Sequence, residues 1–233
     1  LTTRATGTVQ STDFHTHRTT TTTEPRETHR RPGFKDTFSA LHVRNFRLLV
    51  SGLLVVSTGG WIQRIAQDWL VLTLTGSATA VGITTALQFT PTLLLGLYGG
   101  VIADRFPKRK ILLATQATFG SCAAVLATVA FTGHVQVWHV YTMALVLGLA
   151  TAVDNPTRQS FVTELVPRDK VRNAISMVSS TFQLGSMIGP ALGGVLLGVL
   201  GTPWAFAINA CTFFASISAL LRMRDSEMPG AHA

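Results

Sequence analysis

Residues 111–153 read ILLATQATFGSCAAVLATVAFTGHVQVWHVYTMALVLGLATAV, and none of them is Asp, Glu, Lys or Arg. A helical crossing of a bilayer needs about 20 apolar residues, so the stretch is long enough for two. Its polar interruption, Thr132-Gly133-His134-Val135-Gln136, supplies a turn. The segment therefore reads as two membrane-spanning helices, 111–131 and 137–154.

Outward from this hairpin the pattern repeats. Arg64 and Asp68 are the only charged side chains between Leu48 and Ala103, and none lie between Ser176 and Leu221. Further crossings are expected at 47–74, 80–103, 173–200 and 204–221. The composition agrees: 47% of the 233 residues are hydrophobic and 13% charged, the latter about half the share of a soluble domain. The fold class is all-α, a polytopic bundle of six transmembrane helices.

The net charge of +8 invites a nucleic-acid reading, but the basic residues form short clusters beside apolar runs and no continuous face. Three connections carry no Lys or Arg: Thr75–Thr79, Thr132–Gln136 and Gly201–Pro203. The others are basic, at Arg44 and Arg47, at Arg105–Lys110, at Arg158, Arg168, Lys170 and Arg172, and at Arg222 and Arg224. With alternate crossings, every Lys and Arg except Arg64 falls on one side. Positive loops stay inside, so both termini are expected in the cytoplasm and the protein in the plasma (inner) membrane.

Residues 1–33, rich in Thr and Arg with the run Thr19–Thr23, cannot bury enough apolar surface to order and read as a disordered cytoplasmic tail. The bundle takes 34–221, and 222–233 begins a cytoplasmic loop or tail. His15 and His17 lack further ligands nearby and read as solvated. Cys122 and Cys211 lie in apolar runs and read as buried free thiols. No metal or cofactor is expected, and no G-x-x-x-x-G-K-[ST] phosphate loop occurs.

Two motifs carry mechanism. In Gly100-Val-Ile-Ala-Asp104-Arg105-Phe-Pro-Lys108-Arg109-Lys110, a carboxylate ends one helix and a basic turn starts the next. Such a carboxylate can bind helix N-termini or an arginine in one conformation and release them in another. In Gly185-x-x-x-Gly189-Pro190-x-x-Gly193-Gly194, glycines four apart flatten one helix face and the proline removes a backbone hydrogen bond. Gly96 and Gly100 repeat that spacing.

The first string resembles the G-x-x-x-D-R-x-G-R-R signature of the major facilitator superfamily, at its place between the second and third helices. Pro107 stands where the family has Gly, which leaves the shape of the turn open. The second resembles the fifth-helix motif of the superfamily's exporters. Trp61 to Ser77, Asp154-Asn-Pro-Thr-Arg158-Gln-Ser-Phe, Leu165-Val-Pro and Asn173-Ala resemble its drug-efflux and enterobactin-exporter-like branch. The resemblance runs from about Asn45 to Leu221 and covers half of a twelve-helix member. It implies two three-helix inverted repeats, a small-molecule substrate, and proton-coupled export by antiport. It also implies a partner, either a C-terminal half or a second copy, which the Asp104 loop helps to hold. The small-residue face of the fifth segment is expected to await that partner.

The first segment carries a polar stripe. Ser57, Gly60, Gln63, Arg64, Gln67 and Asp68 fall within an arc of about 140° at 100° per residue, and such a stripe faces protein or water, not lipid. Arg64 and Asp68 are spaced to pair. Two readings stand: a self-neutralising ion pair, or Asp68 as the carrier of the coupling proton with the stripe lining the substrate path. Gln88 and Gln183 serve helix-to-helix hydrogen bonds or substrate contact. A rhomboid-type serine protease would need a G-x-S-G site and a His partner on another helix, and Gly185-Ser186-Met187-Ile188 does not fit. The remaining rival is a half-size product, inactive without a partner.

In a background lacking Cys122 and Cys211, cysteines at Ser77, Gln136 or Thr202 are expected to react with a membrane-impermeant thiol reagent on intact cells. Cysteines at Lys108 or Lys170 are expected to react only after lysis. External labelling of Lys108→Cys overturns the orientation.

Overall fold

A computed structural model of the chain describes Thr2 and residues 43–223. The tail expected over 1–33, with His15 and His17, and the end at 224–233 lie outside the described residues. Six α-helices follow among the described residues: α1 Arg44–Thr75, α2 Ala78–Arg105, α3 Lys108–Phe131, α4 Val137–Leu165, α5 Val171–Leu200 and α6 Thr202–Leu221, with a 3-10 turn at Arg168–Lys170 before α5. All six are long and apolar enough to cross a membrane. Five match the expected segments closely. The fourth does not: α4 runs through Pro156 to Leu165, so Arg158 lies within a helix and not in a basic loop.

Local chemistry sets the joints. Gly76 closes α1 at φ 64°, donating to the Leu72 carbonyl, and Ser77 caps α2 by accepting from the Ala80 N–H. Between α2 and α3, Phe106 (φ −120°) and Pro107 (φ −58°) are extended. Pro107 therefore fits without the positive φ a glycine would serve, and its carbonyl caps α3 by accepting from Lys110 and Ile111.

The packing has a hidden order. Helix α2 packs chiefly on α4, α5 on α1, α3 on α6; α1 also packs on α6, and α4 on α3. Exchanging α1 with α4, α2 with α5 and α3 with α6 maps this set of contacts onto itself. Two three-helix repeats related by a pseudo-two-fold axis require that pattern. Arg109, at the start of α3, donates to the Leu220 and Leu221 carbonyls at the end of α6, both at 3.1 Å. Lys108 pairs with Glu164 near the end of α4 at 2.6 Å. Both contacts set the starts and ends of successive helices at common ends of the bundle, as alternate crossing demands.

Two internal prolines tie α2 to α4 reciprocally. Pro91 has no N–H for the Leu87 carbonyl, and Pro156 none for that of Ala152. A Cβ on Gly148 would lie 2.8 Å from the Leu87 oxygen and 2.5 Å from that of Gln88, and one on Gly99 only 2.0 Å from the Ala152 oxygen. Each helix thus turns a carbonyl released by its proline onto a glycine of the other, the close approach typical of small-residue faces in membranes. Thr92 Oγ1 adds a hydrogen bond to the Gly148 carbonyl at 3.2 Å.

Buried apolar side chains gather at the two ends. One cluster holds Phe46, Leu49, Leu112, Phe161, Leu165 and Leu220. The other holds Ile62, Leu70, Val71, Leu126, Val140 and Phe206. Cys122 is buried as expected, but Cys211 is exposed on α6, because the apolar surface of a membrane helix serves lipid as well as core.

Gly99→Ala is expected to lower the thermal unfolding midpoint in detergent by an overpacking cost of about 1–3 kcal/mol. Gly96→Ala, where a Cβ meets nothing within 4 Å, is expected to be neutral or stabilising. Unfolding followed by tryptophan fluorescence compares them, and equal midpoints overturn the reciprocal packing.

Candidate functional site

Between the two apolar clusters lies a cavity of about 380 Å³, lined by all six helices, α5 contributing one residue, Phe182. Helix α1 supplies Ser57, Gln63, Arg64 and Gln67 from its polar stripe. Helix α2 supplies Gln88, Phe89 and Thr92, α3 Gln116, α6 Asn209, and α4 Asp154 and Arg158.

An ion pair sets the electrostatics. Asp154 and Arg158 are 4% and 7% exposed, one turn apart on α4. The Arg158 guanidinium donates to Asp154 Oδ2 through Nη2 at 2.6 Å and Nε at 3.2 Å. Thr115 Oγ1 and Gln116 Nε2 donate to the other oxygen, Oδ1, at 2.5 and 3.5 Å. Both carboxylate oxygens are thereby satisfied, the condition for holding an ion pair away from water. Across the cavity, Asn209 Nδ2 donates to Gln63 Oε1.

Other polar atoms have no such partner. Gln67 is fully buried, yet neither its Nε2 nor its Oε1 finds a hydrogen bond among the described residues, and the same holds for Gln116 Oε1 and Ser57 Oγ. An unsatisfied buried polar group costs about 1–3 kcal/mol. These atoms therefore mark a surface suited to a polar ligand. The Arg64 guanidinium lies 4.7 Å from the ring centre of Phe89 and 5.5 Å from that of Trp61. It lies beyond ion-pair distance of Asp68, one turn away on α1, though the two charges still interact.

Of the residues singled out from the sequence, Gln63, Arg64, Gln67 and Gln88 come together in the cavity. Asp68 is half-buried just beyond its lining, and Gln183 is exposed on α5. In the loop motif, Gly100 is open to its surroundings and Asp104 and Arg105 are exposed, while Arg109 caps α6. In the α5 motif, Cβ atoms at Gly185, Gly189 and Gly193 would meet Ser57, Trp61 and Ile62 of α1. That face is occupied within the bundle and awaits no partner, because each missing side chain admits an α1 residue. Gly194 is open, and Pro190 lies inside α5.

The cavity-lining polar side chains that sequence reasoning missed are Asp154, Arg158, Gln116 and Asn209. A signal existed for the first two. Opposite charges four apart, flanked by Thr151-Ala152-Val153 and Phe161-Val162, fit a buried pair on one helix face.

Comparison with known proteins places these features. The family described as transmembrane secretion effector, of the major facilitator superfamily, matches residues 35–231. The chain is 31% identical over 161 residues to the staphyloferrin A transporter of Staphylococcus aureus, covering 68% of this chain and 40% of that protein. It is 30% identical over 191 residues to the enterobactin exporter EntS of Citrobacter koseri, covering 80% of this chain and 43% of that one. The chain thus spans less than half the length of these relatives. Its fold is similar to that of the POT family transporter PepTSo, with a TM-score of 0.63 at 20% identity over 77% of this chain and 37% of that one.

Asp154→Ala is expected to cost about 3–5 kcal/mol by leaving Arg158 buried and unpaired, seen as a lower unfolding midpoint and loss of monodisperse protein. The double change Asp154→Leu with Arg158→Met is expected to regain most of that loss. A double mutant as unstable as the single overturns the ion-pair account.

Proposed function

We propose a function for a chain that belongs to the transmembrane secretion effector family of the major facilitator superfamily: it forms the six-helix bundle of a secondary transporter that exports a small polar molecule, with proton antiport as the driving force. The family is one of membrane transporters, and two relatives are named for siderophores, so a siderophore-class compound is the substrate proposed here. The observation that carries the reading is the cavity between the two apolar clusters, where Gln67 is fully buried without a hydrogen-bond partner among the described residues. Substrate sites of such transporters lie near mid-depth at the meeting of two bundles.

Asp68 is proposed as the proton carrier, because it is the one carboxylate of the α1 stripe and makes no ion pair or hydrogen bond among the described residues. Gln63, Gln67 and Gln88 are proposed for the substrate path. Gln183, on the exposed side of α5, fits contact with a partner bundle better than contact with substrate. The basic connections favour cytoplasmic termini in the plasma membrane.

A second reading concerns this chain alone: it inserts but does not transport. Support comes from the outward faces of α2 and α5, where Leu93 and Leu97 are 84% and 87% exposed and Met187 and Val199 76% each. Gly100 and Asp104 share that side of α2 at helical spacing, and Asp104 and Arg105 are exposed. A second six-helix bundle, whether a C-terminal half or a second copy, would complete the cavity.

Reconstitution in liposomes separates these readings, with staphyloferrin A and enterobactin as probes and a trapped pH dye. Gradient-driven flux is expected when the chain is paired with a six-helix C-terminal half of a close relative, and not from the chain alone. Equal flux from the chain alone overturns the half-transporter reading, with cross-linking to detect a homodimer. In the paired sample, Asp68→Asn is expected to abolish proton movement while substrate still binds. Recovery of proton-coupled flux in Arg64→Ala with Asp68→Asn overturns the carrier role.

A further inference from the structure

We propose that the cavity selects a small organic anion, a carboxylate or similar planar oxyanion on an apolar or aromatic body, and that Arg64 is the group that holds its charge. The inference rests on reading the cavity as the substrate site. Three charged side chains line it: Arg64, Asp154 and Arg158. Asp154 and Arg158 neutralise each other through two hydrogen bonds, so the one charge of the lining without a hydrogen-bonded counter-ion is that of Arg64, which feels Asp68 only at longer range. Asp68 stands outside the lining and forms no ion pair with Arg64.

The surroundings keep that charge usable. A guanidinium offers five donors in a planar fork that matches a carboxylate, and Arg64 spends none of them among the described residues. Phe89 and Trp61 hold it by their ring faces, an attraction that orients the group without consuming an N–H. Trp61 is itself seated by α5, since its Cβ occupies the space a Cβ on Gly189 would need. The fifth-helix motif therefore reaches the cavity at two lining residues, Gly185 against Ser57 and Gly189 against Trp61, and the second of these seats Arg64.

Each ligand class meets this lining differently. A cation would face a like charge, and a neutral molecule would leave the fork without a carboxylate partner. An oxyanion takes up the fork, while its body rests on Phe89 and Phe182 and its hydroxyl or amide groups reach Gln67 and Gln116 Oε1. The volume of about 380 Å³ lies in the range of small-molecule sites.

The test measures equilibrium dialysis of three probes of one shape, 1-naphthoate, 1-naphthamide and 1-naphthylmethylamine. The purified chain sits in phosphatidylcholine nanodiscs, with empty nanodiscs subtracted. The acid is expected to bind about tenfold or more tighter than the amide, the scale of charge-assisted hydrogen bonds, and the amine most weakly. Arg64→Gln is expected to bring acid and amide to equal affinity. If that variant does not fold, Arg64→Lys replaces it, and a reduced acid-to-amide ratio is expected because the planar fork is lost. An acid no tighter than the amide, or a preferred amine, overturns anion selection while leaving the cavity as a binding site. A wild-type ratio in the Arg64 variant overturns its role, and binding of none of the three, by the chain alone and by the chain paired with a six-helix C-terminal half, overturns the substrate-site reading as well.

Discussion

A charged side chain cannot stand against hydrocarbon, and the arrangement of this bundle follows from where Asp154 and Arg158 are put. The pair lies in α4 at the depth where the two apolar clusters leave a gap. Helix α3 must then present Thr115 and Gln116 to the carboxylate. The stripe of α1 faces the same gap for the same reason: Gln63 and Gln67 are cheaper to bury beside polar partners than to expose to lipid. The cavity is thus the shared interior of two helices whose polar sides have nowhere else to go.

Close packing around that interior depends on missing atoms. Pro91 and Pro156 release carbonyls that the opposite helix accepts only because Gly148 and Gly99 have no side chain. Helices α1 and α5, the symmetry counterparts of α4 and α2, use a different device. Gly185, Gly189 and Gly193 receive side chains of α1, with Pro190 in the same helix. Equivalent pairs of helices therefore reach close approach by unlike chemistry, and both contacts border the cavity, α2–α4 through Gln88, Thr92 and Gly148 and α1–α5 through Ser57 and Trp61.

Hydropathy and basic loops made the six crossings, their order and the α1 stripe readable in the sequence, because a bilayer imposes its thickness and charge asymmetry on each segment separately. The family motifs were readable for the same local reason. What was not readable depends on pairs. Residue 154 looked like a helix end because Asp, Pro156 and Arg158 follow in quick succession, yet the charges cancel inside α4 and the helix continues to Leu165. Gly99 and Gly148 carried no sign of importance beside Gly96 and Gly100, since only the position of a released carbonyl on another helix singles them out. Likewise Asn209, in a largely apolar α6 without charged residues, gains its meaning from Gln63 across the cavity.

The two intramembrane charge pairs have the same spacing and opposite order. On α4 the acid precedes the base, Asp154 then Arg158; on α1 the base precedes the acid, Arg64 then Asp68. At a separation of four residues, acid before base is the better orientation on a helix, because side chains lean towards the N-terminus and the later, longer arginine reaches back to the earlier carboxylate. Arg158 makes that reach at 2.6 Å. Arg64 leans away from Asp68, towards Phe89 on the neighbouring helix. Residue order thus favours the closed pair on α4 and the open one on α1, helped by Thr115 and Gln116 in the first case and by Phe89 and Trp61 in the second, and the open one leaves a guanidinium in the cavity and a carboxylate at its edge. Reversing the order on α1, with Asp at 64 and Arg at 68, would close that pair as α4 closes its own and leave the lining with no charge to offer an anion.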